Sequence, residues 1–231
     1  MLETPNLAPV FSRPFIWLKL RQPPYLRHPY IRWSRRHRHR RPHHPAHTAA
    51  RGLPSLNRSR FRTAPTFSEY LDTVEKNREL WHALARRATV DEATRQRACA
   101  IPGRWNVIAL TEDWCGDAIN TLPVFDRLAE AAGNIELRVL LRDENPDLMD
   151  AHLTNGTSRS IPVLIVYDET FRERGWWGPR PAQIQEWVMT EGLKLDPEDR
   201  YREVRRYYAR DRGRAALDEF LRVLERAAAD D

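Results

Sequence analysis

Thr111-Glu112-Asp113-Trp114-Cys115-Gly116-Asp117-Ala118 is the stretch on which the reading of this chain turns. An apolar run, Asn106-Val107-Ile108-Ala109-Leu110, precedes it and has the character of a buried strand. Behind it Ile119, Leu122, Val124, Phe125, Leu128, Ala131 and Ala132 recur at helical spacing. Cys115 therefore falls where a strand ends and a helix begins. The first turn of a helix carries backbone N–H groups without partners and a partial positive charge. A thiolate there is stabilised, so such a cysteine is more nucleophilic than a free one. Glu112, Asp113 and Asp117 oppose it, because nearby negative charge raises the cost of ionising the thiol. The balance predicts a thiol pKa below a free cysteine's, though not far below. Asp117 itself has two readings: a first-turn acid that suits the helix dipole, or a proton acceptor for Cys115 or a leaving thiol.

Working outward, Gly133-Asn134 closes the helix that follows Cys115. Ile135–Leu141 reads as a strand, Asn145-Pro146 opens a short helix, and a polar loop, residues 154–160, leads to the strand Val163–Tyr167. The order is β-α-β-α-β, with the first two strands expected to pair in parallel. Phe171–Trp177 reads as a further strand, antiparallel to Val163–Tyr167, with one of Trp176 and Trp177 facing the core. A helix then runs from Pro181 to about Glu191. Asp196-Pro197 opens a long charged helical stretch that breaks at Gly213. Its second half sets Leu217, Phe220, Leu221 and Leu224 on one face, either to cap the domain or to meet a partner.

Upstream of the first strand, Thr66-Phe67-Ser68-Glu69 is a capping box. Phe67, Tyr70, Leu71, Val74, Trp81, Leu84 and Ala85 repeat behind it at helical spacing. Thr89-Val90-Asp91-Glu92 reads as a second capping box, for a shorter helix ended by Pro102-Gly103.

The span from about Asn106 to Gly192 resembles the thioredoxin-like family. It shares Trp114 directly before Cys115, Gly116 directly after it, Pro123 eight residues beyond it, and Ser160-Ile161-Pro162 ahead of a strand. The resemblance implies an α/β fold. It would be a thioredoxin-like three-layer α/β/α sandwich with a mixed central sheet of about four strands. The N-terminal helices and a C-terminal helical extension would be additions to it. It further implies a cis Ile161–Pro162 bond facing Cys115, with Gly178 close by. Trp114, Ile161, Pro162, Trp177 and Gly178 would line an apolar groove beside the sulfur. Backbone groups there would hold an extended peptide or a glutathione-like thiol. Arg159 and Arg180 are further candidates to meet a carboxylate of such a thiol, and His152 reads as a helix surface residue. Two positions depart from the family. Ala118 stands where the second cysteine of the redox pair belongs, and Ala109 stands where thioredoxins carry a buried acid.

Charge divides the 231 residues unevenly. Residues 1–67 hold 14 Lys and Arg against one acid, Glu3, whereas residues 68–231 carry a net charge of −7. The stretch 1–65 is rich in Pro, Arg and His, shows no helical or strand period, and is expected to be disordered. Residues 66–231 are expected to form the domain. The basic stretch could make weak contacts with polyanions, act as an Arg-rich organelle transit segment, or be an upstream extension from a wrongly chosen start codon. Phe15-Ile16-Trp17-Leu18 is too short for the apolar region of a secretory signal. Two cysteines, Cys99 and Cys115, exclude a disulfide framework and fit a reducing, cytoplasmic setting. The longest apolar run, Val163–Tyr167, excludes a membrane helix. Neither a phosphate loop, a zinc pattern nor a Ser-His-Asp set is present, so no metal or bound cofactor is expected.

Two functions follow from these residues. One is a monothiol oxidoreductase, in which Cys115 forms mixed disulfides with protein or small-molecule thiols and an external thiol such as glutathione resolves them. The other is a redox-inactive thioredoxin-like binding module. In either case Cys99 is not the missing second sulfur. A strand of five residues, spanning roughly 16 Å, separates it from Cys115, whereas a disulfide needs Cα atoms within about 7 Å.

Overall fold

The computed structural model describes residues 56–230. Four strands form its sheet: β1 (Trp105–Thr111), β2 (Ile135–Leu141), β3 (Val163–Tyr167) and β4 (Glu173–Trp177), in the spatial order β2-β1-β3-β4. β1 and β2 run parallel, with Trp105 opposite Ile135 and Thr111 opposite Leu141. The intervening α5 (Gly116–Ala132) makes the crossover that a parallel pair requires. β3 is antiparallel to β1, with Ile108 opposite Ile165. β4 is antiparallel to β3, with an irregularity between Val166 and Tyr167. The sheet is therefore mixed.

Side chains alternate between the two faces of a strand. Every residue of β3 is buried, so both faces of the sheet are covered and the domain has three layers. α5 packs on β2, and α9 (Arg214–Ala229) packs on β4 and on α5. The apolar stripe of α9 is buried at Leu217, Phe220, Leu221 and Leu224, so it caps this domain. α8 (Pro197–Asp211) precedes α9, and the chain turns between them at Gly213, φ 81°. A Cβ there would stand 2.6 Å from Val124 Cγ2, so the turn fits against α5 only with glycine. α6 (Pro146–Ala151) follows β2, and α7 (Ala182–Thr190) follows β4. The fold is thus α/β and thioredoxin-like, with added helices at both ends.

The N-terminal helices differ from the sequence expectation. Instead of one helix through Ala85, the chain forms α2 (Phe67–Thr73) and α3 (Arg78–Arg87), broken at Val74. The break is held by Asp113, whose carboxylate accepts the backbone N–H groups of Glu75 and Lys76 at 3.2 and 2.8 Å. Amides released from a helix need such a partner. Thr66 and Glu69 form the expected capping box. Thr89 does not start α4 (Glu92–Cys99). Asp91 is its N-cap, and the Asp91 carboxylate takes the Thr94 N–H at 2.8 Å.

A further helix, α1 (Arg58–Thr63), lies inside the stretch expected to lack structure. Leu56 and Phe61 are each 1% exposed. Phe61 meets Phe171 edge-on at 5.4 Å, and Arg60 donates to both oxygens of Asp147 and to Asn145. The ordered domain therefore includes Leu56, ten residues before the expected boundary at Thr66. Two buried apolar side chains and a bidentate ion pair outweigh the polar composition around them. The rest of the basic stretch, residues 1–55, lies outside the described residues. Among the described residues no helix is long and apolar enough to cross a membrane.

Candidate functional site

Cys115 is the N-cap of α5. Its backbone N–H donates to the Glu112 carbonyl at 3.1 Å, closing the turn between β1 and α5. Its Sγ accepts the Ala118 N–H at 3.5 Å, as an N-cap side chain does. From the other side Sγ donates to the Ile161 carbonyl at 3.3 Å. The Ile161–Pro162 bond is cis, and so is Gly178–Pro179. Gly178 has φ 144°, and a Cβ on it would lie 2.2 Å from the Pro162 carbonyl oxygen. The end of β1, the start of α5, the entry to β3 and the loop after β4 therefore converge on one sulfur.

The acidity of this thiol departs from the sequence expectation. Cys115 is 6% exposed. Burial, and then the Asp117 carboxylate, push its thiol up to about 12, against the backbone N–H groups of Ala118 and Asp117 and the Arg180 guanidinium. The expected value below a free cysteine's is overturned, because desolvation disfavours a buried thiolate by more than two amides and a helix terminus favour it.

The three acids near Cys115 in sequence do different work. Glu112 Oε1 accepts the Asp143 N–H at 2.9 Å, and Asp113 braces the α2–α3 break. Asp117 stays beside the thiol, with its side chain 12% exposed. Its Oδ2 takes the Arg180 Nε–H at 2.7 Å, and its Oδ1 takes the Tyr208 hydroxyl at 2.9 Å. Burial raises the Asp117 carboxyl, and Arg180 and Tyr208 oppose that rise.

Trp114 is 43% exposed and lies under the Arg142 guanidinium, 5.0 Å from the ring centre. Arg142 also donates to the Arg159 carbonyl at 3.3 Å, just ahead of Ile161. Of the expected neighbours, Ile161 meets Cys115 through its carbonyl, Pro162 follows it in the chain, Gly178 lies against the Pro162 carbonyl, and Trp114 directly precedes Cys115. Trp177 precedes Gly178 and packs inward. It is 5% exposed, meets Phe125 edge-on at 5.0 Å, and donates from Nε1 to Glu219 at 2.9 Å. Arg159 pairs with Asp150 at 3.2 Å. His152, read from the sequence as a surface residue, is 2% exposed. Its Nδ1 lies 2.6 Å from the Leu148 carbonyl, its Nε2 lies 3.1 Å from Glu173, and its ring stands edge-on to Trp176. The hydrophobic pattern of so short a helix carries no signal for that burial.

Two site residues escaped the sequence reading. Tyr208 belongs to the charged helix α8, whose spacing gives no hint of a contact with Asp117. Tyr70 of α2 is buried, and Asp113, Glu112 and Cys115 add to the burial that raises its phenol. Cys99 is exposed and unbonded to Cys115. Among the described residues, no group of three or more His, Cys, Asp or Glu could hold a metal ion.

Comparison with known proteins adds a family and a fold. The pattern of a family described as Thioredoxin matches residues 64–199. A protein of unknown function from Pseudomonas aeruginosa is similar in structure, with a TM-score of 0.58 and 18% identity, over 74% of this chain and 98% of that one. An HIV epitope scaffold is also similar, with a TM-score of 0.54 and 18% identity, over 71% of this chain and 94% of that one. At such identity the likeness is one of fold alone. The search of curated proteins gives no match.

Proposed function

The chain belongs to the thioredoxin family, and from that premise we propose that it is a thiol-disulfide exchange protein of monothiol type. One observation carries the reading: the Cys115 sulfur sits at the N-terminus of α5 against the carbonyl that precedes Pro162. In this reading the Cys115 thiolate attacks one sulfur of a disulfide. A Cys115 mixed disulfide forms, and the other half leaves as a thiolate. Ala118 offers no neighbouring sulfur, so an external thiol attacks the half bound to Cys115. The Cys115 thiolate is released, and a new disulfide leaves. Each step exchanges one S–S bond for another. The external thiol is a low-molecular-weight one such as glutathione, and the substrates are protein or small-molecule disulfides. Trp114, Ile161, Pro162 and Gly178 border the sulfur where a substrate would lie. A reducing cytoplasm suits two free cysteines. The charge of residues 1–65 favours weak contact with polyanions.

A second reading, a redox-inactive binding module, draws on the burial that pushes the thiol up to about 12. The two separate on one experiment. Full-length protein carrying Cys99→Ser is incubated with oxidised glutathione at pH 9 and its intact mass is measured. Addition of one glutathione, reversed by excess reduced thiol and absent after Cys115→Ser, supports exchange. No addition to folded protein leaves the binding module.

A further inference from the structure

Four ionisable side chains from four elements surround Cys115. They are Asp117 on α5, Arg180 in the loop after β4, Tyr208 on α8 and Tyr70 on α2. Among them Asp117 and Arg180 bind each other as an ion pair. Arg180 is fixed at two points, with Nε on Asp117 and Nη1 on Gln185 Oε1, each at 2.7 Å. Tyr208 occupies the remaining Asp117 oxygen. Both carboxylate oxygens thus have a strong donor, which lets a charge persist in a nearly enclosed place.

A proton acceptor needs a lone pair directed at the proton it takes. The Cys115 thiol is instead directed at the Ile161 carbonyl, and the donors to the Asp117 oxygens are Arg180 and Tyr208 rather than the thiol. The carboxylate therefore acts on the sulfur through its field. That field opposes a thiolate. On the reading that Cys115 is the exchanging thiol, we propose that Asp117 is a brake on its ionisation and that Arg180 and Tyr208 are positioning residues that hold the brake in place. Arg180 contributes twice. It keeps Asp117 charged, and it offsets part of the Asp117 field at the sulfur. The arrangement makes the acidity of the thiol depend on an ion pair anchored in the loop after β4 and on a hydroxyl from α8.

The test is the pH dependence of alkylation by iodoacetamide, measured on the full chain with Cys99→Ser so that Cys115 is the sole thiol. Asp117→Asn removes the charge and keeps the shape. Its rate-against-pH midpoint should fall by about one pH unit, roughly a tenfold larger thiolate fraction below the midpoint. Arg180→Gln leaves the carboxylate without its counter-charge, and its midpoint should rise. An unchanged midpoint in folded Asp117→Asn overturns the proposal. So does a slower reaction at every pH, which is the signature of a lost proton acceptor. Should Asp117→Asn fail to fold, Tyr208→Phe takes its place: a lowered midpoint supports the brake, because the Tyr208 hydroxyl favours the Asp117 carboxylate, and an unchanged or raised one overturns it. Glutathione addition measured on the same samples reports on exchange separately. A shifted midpoint without glutathione uptake keeps the brake and removes the exchange reading. Uptake with an unshifted midpoint does the reverse.

Discussion

Gly178 stands so close to Pro162 that a side chain on the glycine would begin 2.2 Å from the proline's carbonyl oxygen. Its φ of 144° lies in a region that other residues rarely adopt. Gly178→Ala should therefore destabilise the protein by about 3 kcal/mol, through strain and a forced backbone shift together. Urea unfolding at equilibrium gives the number. A loss under roughly 1 kcal/mol would mean that the loop after β4 can move away from Pro162 freely.

The two cysteines should differ sharply in reactivity. Cys99 is exposed, whereas burial pushes Cys115 up to about 12. With limiting iodoacetamide at pH 7, peptide mapping should find Cys99 labelled at least ~10 times faster, because the thiolate is the reacting form. In guanidinium chloride the two rates should converge. Equal labelling of native protein would contradict the enclosed, protonated thiol.

Asp126 should make stability fall with rising pH. Burial, with Glu130 next, pushes its carboxyl from 3.8 up to about 6. A raised folded value means that the native chain binds the proton more tightly than the unfolded one. The stabilising effect is then complete below 3.8 and lost as pH rises through about 6. Asp126→Asn should be more stable than the parent by about 1 kcal/mol at pH 7.5, after allowance for screening at a partly exposed position. Near pH 3.5 the two should match. Denaturant melts at both pH values measure this, and an equal difference at each would refute it.

Phe61 tests where the domain begins. It is 1% exposed and packs against Phe171. Phe61→Ala should cost about 3 kcal/mol, the usual range for emptying an aromatic site in a core. An effect of only a few tenths would return the boundary to Thr66.

The sequence made the centre of this molecule legible because the relevant information there is local. The apolar run before Thr111 and the helical spacing after Cys115 fix a strand–helix junction without reference to the rest of the chain. Ile161-Pro162 ahead of an apolar strand needs only its neighbours to be recognised. What stayed hidden depends on partners far along the chain. The break between α2 and α3 is held by Asp113, 37 residues beyond Lys76. Trp177 reads as part of the groove with Gly178, and its contacts with Phe125 and Glu219 come from 52 and 42 residues away in the chain. The expected acidity of Cys115 weighed helix dipole against nearby acids. It omitted desolvation, which is set by how closely four elements pack.

Tyr208 gives the C-terminal helices a meaning beyond structural cover. The family pattern ends at residue 199, and the tyrosine that touches Asp117 lies past it, on α8. A fragment cut at the family boundary would carry the cysteine, its proline and its glycine, but not the hydroxyl that completes the surroundings of the carboxylate. The shared frame and the adjustment of its sulfur are therefore encoded in separate stretches of the chain. Substitutions on α8 could retune the thiol of an unaltered frame, and two proteins with identical residues from 111 to 118 need not share the same reactivity.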